Sequence, residues 1–365
     1  MAERLRLGVV GANPDIGWAS RTHMPALLAL PEFDLAAVCT TRQESATASA
    51  AKYEADRAYW DYRDLVADPE IDVVDVCVRV PFHHEIVMAA LRAGKHVYCE
   101  WPLAATVSQA TEMADLAETQ GLHVMVGLQA HASPSVMHVR NLIADGWIGR
   151  VLSATMTFYS SGLLQERAPE AVWRGDRRNG ANTMTISAGH AIDALCWCVG
   201  RLVDVSGIVD TLAPEWPLQA GGSVKVSAPD HISLTGRVEG GGVATVVVAS
   251  IPWHGSAFRL EIYGTEGTLV ASGQQAQSIA LRLQGARAGD QKLVDLEVAP
   301  ELRWVPEEVP DGTPLNVAQM MRRFADGIRE GTNPGPSFAD AVRNHKLLDA
   351  IERASATGAR VAVPE

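Results

Sequence analysis

Leu5-Arg-Leu-Gly-Val-Val-Gly11-Ala-Asn13-Pro-Asp-Ile-Gly17-Trp18-Ala19 decides the fold. Residues 5–10 form an apolar run of strand length that meets a glycine turn at Gly11, and a helix is predicted around Ser20–Leu30. A strand, a glycine turn and a helix bring backbone N–H groups to a helix start, where the pyrophosphate of a dinucleotide binds. The usual fingerprint places glycine at its first, third and sixth positions. Here Asn13 takes the third position and Gly17 arrives one residue late, so the turn gains its meaning from its place between strand and helix.

Outward from that turn, strand and helix alternate. Phe33–Thr40 reads as a strand, Ser45–Tyr53 as a helix, Ile71–Val80 as a strand and His84–Ala93 as a helix closed by Gly94. His96–Cys99, Val107–Gln120 and His123–Leu128 continue as strand, helix and strand. The alternation predicts an α/β fold with a doubly wound parallel sheet, an NAD(P)-binding Rossmann domain over residues 1–128.

After Gln129 the texture changes. A helix over Pro134–Asp145 stops at Gly146, and period-2 segments follow at Ile232–Val238, Val243–Ile251 and Phe258–Tyr263. They predict a second, α+β domain over 129–365 with a large, mostly antiparallel sheet, one face packed and the other free. The free face suits a homodimer or homotetramer contact. Helices over Val317–Glu330 and Phe338–Thr357, the latter capped by Ser337, are expected to pack back on the first domain.

Composition narrows the function. Lys plus Arg number 31 against 43 Asp plus Glu, a net charge of −12 with no basic cluster, which excludes a binder of nucleic-acid phosphates. No apolar run approaches the roughly 20 residues that span a bilayer, and the N-terminus lacks the apolar core of a signal peptide. The five cysteines have no metal-ligand spacing, and reduced thiols fit a cytoplasmic protein. His83-His84-Glu85 has no third ligand at matching distance, so no metal is expected. Cys196-Trp-Cys198 reads as packing, and no nucleophile elbow supports a hydrolase triad.

The end of the second strand addresses the cofactor. NAD enzymes usually place Asp or Glu there for the ribose 2′-OH, whereas this chain has Thr40-Thr41-Arg42. Two hydroxyls and a fixed cation suit a 2′-phosphate, so NADP is favoured over NAD. The alternative is that Arg42 is solvated or stacks on adenine whichever cofactor binds.

Four further segments now stand in order: Val80-Pro-Phe-His83, Ala93-Gly-Lys-His-Val-Tyr-Cys-Glu100-Trp101-Pro102-Leu-Ala, Trp173-Arg174 and Gly189-His190-Ala-Ile-Asp193. On a Rossmann domain followed by an antiparallel sheet they resemble the Gfo/Idh/MocA oxidoreductases over nearly the whole chain. A closer resemblance is to the Gal80-like subgroup, carried by Gly11-x-Asn13 with Gly17-Trp18-Ala19, Glu100-Trp101, Leu128-Gln129 before Ser133-Pro134, and Thr185-Ile-Ser-Ala-Gly-His190-x-Ile-Asp193. The family resemblance implies hydride transfer between a nicotinamide and a carbon of a sugar, glycoside or polyol. The subgroup implies an alternative, a catalytically silent cofactor or sugar sensor that controls a protein partner. A third possibility is a glycoside hydrolase assisted by transient oxidation.

The resemblance implies roles residue by residue. His190 is the acid/base, and Asp193, one helical turn on, binds substrate or orients the ring. Gly11, Asn13, Gly17, Trp18, Arg79, Val80, His83, Glu100, Gln129, Trp173 and Arg174 are cofactor-site candidates with the Thr40–Arg42 loop. His131, Trp253 and His254 are substrate candidates. Two family positions depart from the pattern: Trp101 stands where the family has lysine, and Ile186 where it commonly has Asp. Trp101 is either a wall on which a sugar ring stacks or a plug, and it counts as both a cofactor and a substrate candidate.

Overall fold

Six parallel strands form the first sheet: β1 (Leu5–Val10), β2 (Phe33–Cys39), β3 (Arg57–Tyr59), β4 (Val73–Val76), β5 (His96–Glu100) and β6 (Val124–Gly127). Their spatial order is β3-β2-β1-β4-β5-β6, reversing direction between β1 and β4. These positions come from a computed structural model that describes residues 3–277 and 280–364. Helices α1 (Trp18–Arg21), α2 (His23–Leu28), α3 (Gln43–Tyr53), α4 (Tyr62–Ala67), α5 (His83–Arg92) and α6 (Val107–Thr119) connect the strands.

Two differences from the expected elements have local causes. The helix expected over Ser20–Leu30 is broken at Thr22, which adopts φ −130° and ψ −63° and donates its hydroxyl to Trp18 O. Pro25, just inside α2, supplies no N–H and disfavours helix at the residue before it, so the turn cannot run through. The strand expected over Ile71–Val80 is paired only over Val73–Val76, because Pro81 opens a 3₁₀ turn at Val80–Phe82.

The second sheet has nine strands. Helix α7 (Pro134–Ala144) precedes β7 (Val151–Ser160), and α8 (Gly189–Val199) precedes β8 (Leu202–Asp210). A small ladder of β9 (Glu215–Pro217) and β10 (Ser223–Lys225) stands apart. Then follow β11 (His231–Val238), β12 (Val243–Ser250), β13 (Ala257–Gly264), β14 (Gly267–Gly273), β15 (Arg282–Arg287) and β16 (Val294–Leu296). Helices α9 (Thr313–Glu330) and α10 (Phe338–Thr357) and the short β17 (Val361–Ala362) end the chain. The sheet order is β16-β15-β14-β13-β7-β12-β11-β8-β17; β7 and β12 pair in parallel and the other neighbours antiparallel. Burial alternates along β11 and β12, so one face is packed while Thr235, Arg237, Val243 and Thr245 face outward.

The chain divides into two units, Met1–Ala132 with Arg303–Val342, and Ser133–Leu302 with Arg343–Glu365. Residues 129–132 and 303–342 thus stand with the first unit, where a single cut at 128 leaves them with the second. The reason is α9, whose Val317, Met320, Met321 and Phe324 fall on one face and join the core built by Leu7, Val38, Tyr98 and Met125. The division falls inside α10.

Candidate active site

The carboxyl edge of the first sheet collects the cofactor candidates of the first unit. Where strand order reverses, ligands of open α/β sheets bind. Gly11 lies at this point with φ +104°, and a Cβ there would stand 2.1 Å from Cys77 O on the chain leaving β4. Asn13 does what the missing third glycine does not: its Oδ1 accepts from Asp15 N at 3.0 Å and Ile16 N at 3.1 Å, fixing the turn. At Gly17, φ is +114° and nothing lies within 4 Å of a Cβ, so bare backbone faces open space before α1. Trp18 follows, with a buried indole N–H that meets no acceptor among the described residues. Open backbone, positive φ and an unpaired donor fit the pyrophosphate end of a dinucleotide.

At the end of β2, Thr40 Oγ1 stands 2.7 Å from Ser45 Oγ and 3.0 Å from Arg42 O. The Thr40 hydroxyl therefore braces the start of α3, while Thr41 and Arg42 are exposed. Arg79 is exposed and Val80 buried after β4. His83 is buried, its ring nitrogens 2.9 Å from Pro102 O and 3.1 Å from Val78 O, and burial lowers its pKa. It joins the segments after β4 and β5. Trp101 is buried, as are Gln129 and His131 on the 3₁₀ turn Gln129–Ala132. That turn is tied to α9, with Gln319 donating to Ala132 O at 2.6 Å and Arg323 to His131 O at 3.2 Å.

Beneath these loops lies a charged cluster. His23 on α2 is fully buried, with Nδ1 2.7 Å from Asp75 Oδ2 and Nε2 3.0 Å from Glu100 Oε1. Gln129 donates to both Glu100 oxygens, at 2.8 and 3.0 Å. Burial disfavours the charged ring, but the charges and hydrogen bonds of Asp75 and Cys77 together outweigh it and the His23 pKa stands well above its ordinary value. Burial raises the Asp75 carboxyl in turn, partly offset by His23.

In the second unit His190 is the second residue of α8 and is buried; Asp193 follows one turn later, half-buried. A π-helical turn, Thr183–Ala188, runs straight into α8. Asn182 accepts from Met184 N at 3.0 Å and Thr185 N at 3.2 Å, while Thr185 Oγ1 accepts from Asn182 N at 3.0 Å. This reciprocal cap holds the turn open. Asn344 on α10 donates to Gly189 O at 3.2 Å and steadies the start of α8. Three hydroxyls form a chain, Ser160 to Ser250 at 3.1 Å and Ser250 to Thr183 at 3.0 Å, joining the paired ends of β7 and β12 to the π turn.

Trp253 and His254 are exposed on the loop after β12, which Ser161 Oγ anchors by accepting from Gly255 N at 2.8 Å. Trp173 is half-buried and Arg174 exposed on the 3₁₀ turn Pro169–Gly175. Burial pushes the Cys39, Cys196 and Cys198 thiols up to about 12 and Cys77 to about 11, so none is a thiolate at neutral pH. Among the described residues no group of three or more His, Cys, Asp or Glu is arranged for a metal, and no helix is long and apolar enough to cross a membrane.

The candidates thus fall on two constellations, one per unit. The first gathers at the ends of β1, β2, β4, β5 and β6. The second comprises α8, the π turn and the loops around them. Two groups escaped the sequence, the His23–Asp75 pair under Glu100 and the Ser160–Ser250–Thr183 chain.

Two family models match: the oxidoreductase family's NAD-binding Rossmann fold over residues 5–128, and the GFO/IDH/MocA C-terminal domain over residues 136–270. The chain belongs to the GFO/IDH/MocA oxidoreductase family. It is similar to levoglucosan dehydrogenase of Pseudarthrobacter phenanthrenivorans, 27% identical with 100% of this chain and 99% of the relative covered. A solved levoglucosan dehydrogenase in complex with NADH and L-sorbose superposes with a TM-score of 0.86 at 27% identity, covering 99% of each chain. The galactose/lactose metabolism regulatory protein GAL80 of Saccharomyces cerevisiae is also 27% identical, over 82% of this chain and 74% of that protein.

Proposed function

We propose that the chain is a nicotinamide-dependent oxidoreductase of a sugar, glycoside or polyol hydroxyl. The observation that carries this reading is His190, a buried imidazole at the head of α8, presented by a capped π turn in a chain whose other unit carries an open dinucleotide turn. Support comes from the full-length likeness to levoglucosan dehydrogenase and its complex with NADH and L-sorbose.

A bound nicotinamide supplies hydride acceptance at its ring carbon. Gly11, Asn13, Gly17 and Trp18 hold the pyrophosphate end, and Glu100, Trp101 and Gln129 border the nicotinamide end, with Arg79, Val80, His83, Trp173 and Arg174 contributing contacts. His190 takes the hydroxyl proton as hydride leaves the same carbon, because an imidazole titrates close to neutrality. Asp193 orients the ring or the substrate. The Ser160–Ser250–Thr183 chain offers hydroxyls of the kind that pair with a polyol. Trp101 offers an apolar wall for a sugar ring, and His131, Trp253 and His254 complete the substrate side. Arg42, exposed while Thr40 is engaged with Ser45, prefers the 2′-phosphate of NADP. Subunits associate through the outward face around Val243 and Thr245.

One observation favours a second reading. Trp101 occupies the family's lysine position and is buried, and GAL80 is among the relatives, so a catalytically silent sensor of cofactor or sugar is the competitor. A panel of free sugars, polyols and p-nitrophenyl glycosides incubated with NAD and with NADP separates the possibilities. Accumulation of reduced nicotinamide establishes the dehydrogenase, and nitrophenol release with trace cofactor the redox-assisted hydrolase. Silence in both channels with cofactor binding retained assigns the sensor.

A further inference from the structure

The His23 cluster permits a count of charge that does not depend on where its protons sit. Two short contacts join the three groups, Nδ1 to Asp75 and Nε2 to Glu100. Each needs one proton between nitrogen and oxygen, because two facing lone pairs repel. A neutral imidazole brings one proton, so the cluster must hold one more. An imidazolium between two carboxylates, or a neutral ring beside one carboxylic acid and one carboxylate, gives the same sum. His23, Asp75 and Glu100 together carry one negative charge either way.

That charge sits in dry surroundings. The side chains of His23 and Asp75 are 0% exposed and that of Glu100 is 10% exposed. The Tyr98 and His23 rings meet nearly at right angles with centroids 5.6 Å apart, and Gln129 closes the Glu100 side. A Cβ on Gly127 would fall 2.4 Å from Glu100 Oε1, so the backbone of β6 presses on the carboxylate. Glu100 is the outermost member, at the carboxyl end of β5, immediately before Trp101 and Pro102. Low effective dielectric lengthens the reach of such a charge.

We propose that His23 is a positioning residue that fixes Glu100 and, with Asp75, holds one net negative charge at the carboxyl edge of the sheet, by which the protein binds the oxidised, cationic nicotinamide in preference to the reduced, neutral one. The inference rests on the proposed nicotinamide cofactor and deepens it. Oxidised and reduced forms differ at the ring by one positive charge, and a fixed negative field favours the cation. By linkage the bound couple becomes harder to reduce. The protein therefore holds the oxidised form ready for the next substrate and releases the reduced form more easily.

The test measures dissociation constants for NAD⁺ and NADH, and for the phosphorylated pair, by calorimetric titration of the intact protein. Asp75→Asn and Glu100→Gln together remove the one charge and keep shape, because a neutral ring then donates to one amide oxygen and accepts from the other amide's N–H. In either single variant the amide N–H can meet the ring nitrogen and leave the charge in place. In this double variant the preference for the oxidised form should fall; for one unit charge within about 12 Å, at an effective dielectric near 20, the ratio changes by about tenfold. Purely structural damage weakens both forms alike and leaves the ratio unmoved. If the double variant fails to fold, the unmutated protein still carries the test, since reduced cofactor bound as tightly as the oxidised form, or more tightly, overturns the inference. An unchanged or opposite ratio, with both forms still bound, overturns the inference and leaves the cofactor reading standing. If the unmutated protein binds neither form, that reading falls and the inference with it.

Discussion

Replacing Gly11 by alanine tests the glycine turn more sharply than any surface change. A Cβ at Gly11 would lie 2.1 Å from Cys77 O and 2.8 Å from Cys77 C, both backbone atoms. Neither side can yield cheaply, because Cys77 N donates to Val10 O at 2.9 Å and Gly11 N to Cys39 O at 2.9 Å. The residue also sits at φ +104°. The positive-φ backbone alone costs about 1–3 kcal/mol for alanine, and overpacking against fixed atoms adds about 1–3 kcal/mol. Gly17 is the internal control: its φ is +114°, yet nothing lies within 4 Å of a Cβ. Gly17→Ala therefore bears only the conformational cost. At about 2–4 °C per kcal/mol for a unit of this size, Gly11→Ala should lower the first unit's melting temperature by about 4–24 °C and Gly17→Ala by about 2–12 °C. Calorimetry of both variants beside the parent reads the difference directly. Equal drops would refute the argument that the Cys77 carbonyl reserves Gly11.

Three further outcomes follow from the same geometry. His190→Ala should lower turnover by about 10²–10⁴-fold, the usual share of a positioned acid/base, while cofactor affinity by titration changes only a few-fold; undiminished turnover would remove His190 from the chemistry. Arg42→Ala should weaken NADP by about tenfold or more and NAD far less, since a hydrogen bond to a charged group contributes about 1.5–3 kcal/mol; equal losses would discard the 2′-phosphate contact. Burial pushes His345 on α10 down to about 4. Between about pH 6.5 and pH 4 the unfolded ring takes a proton that the folded ring refuses, so stability falls with falling pH by about 3 kcal/mol. His345→Gln should lack that part of the acid sensitivity when denaturation midpoints are compared across this range, and identical pH profiles would contradict it.

The sequence carried the first sheet well because buried parallel strands and their glycine-closed helices leave local marks, as in Leu5–Val10, Phe33–Cys39 and the helix before Gly94. It carried β11 to β13 because one-sided burial imposes a period of two. The break at Thr22 and the short β4 had signals too, in Pro25 and Pro81, whose effects outweighed the apolar pattern around them. Asn13 departs from the glycine fingerprint, and only the folded turn shows its side chain accepting from Asp15 N and Ile16 N.

The buried cluster was harder to read. His23 lies 52 residues from Asp75 and 77 from Glu100, and a lone His on a short apolar helix reads as core. Asp75 did leave a trace: a carboxylate inside Val73-Val-Asp-Val76, a strand buried on both faces, is costly unless a partner waits for it. The chain Ser160–Ser250–Thr183 depends on the parallel register of β7 and β12, which no spacing in the sequence reveals.

Transfer of deuterium tests the central claim most directly. The protein is incubated with oxidised NAD or NADP and sugars or polyols deuterated at their hydroxyl-bearing carbons, and the recovered cofactor is weighed by mass spectrometry. The label rides on the reduced cofactor, and a cofactor re-oxidised within the same turnover hands the deuterium back from the same ring face. The mixture is therefore quenched during turnover, and the reduced form is the one weighed. The account predicts one deuterium gained by the nicotinamide with the parent protein and none with His190→Ala. A cofactor that binds tightly yet never acquires deuterium from any of them would contradict it and leave a sensor in place of an enzyme.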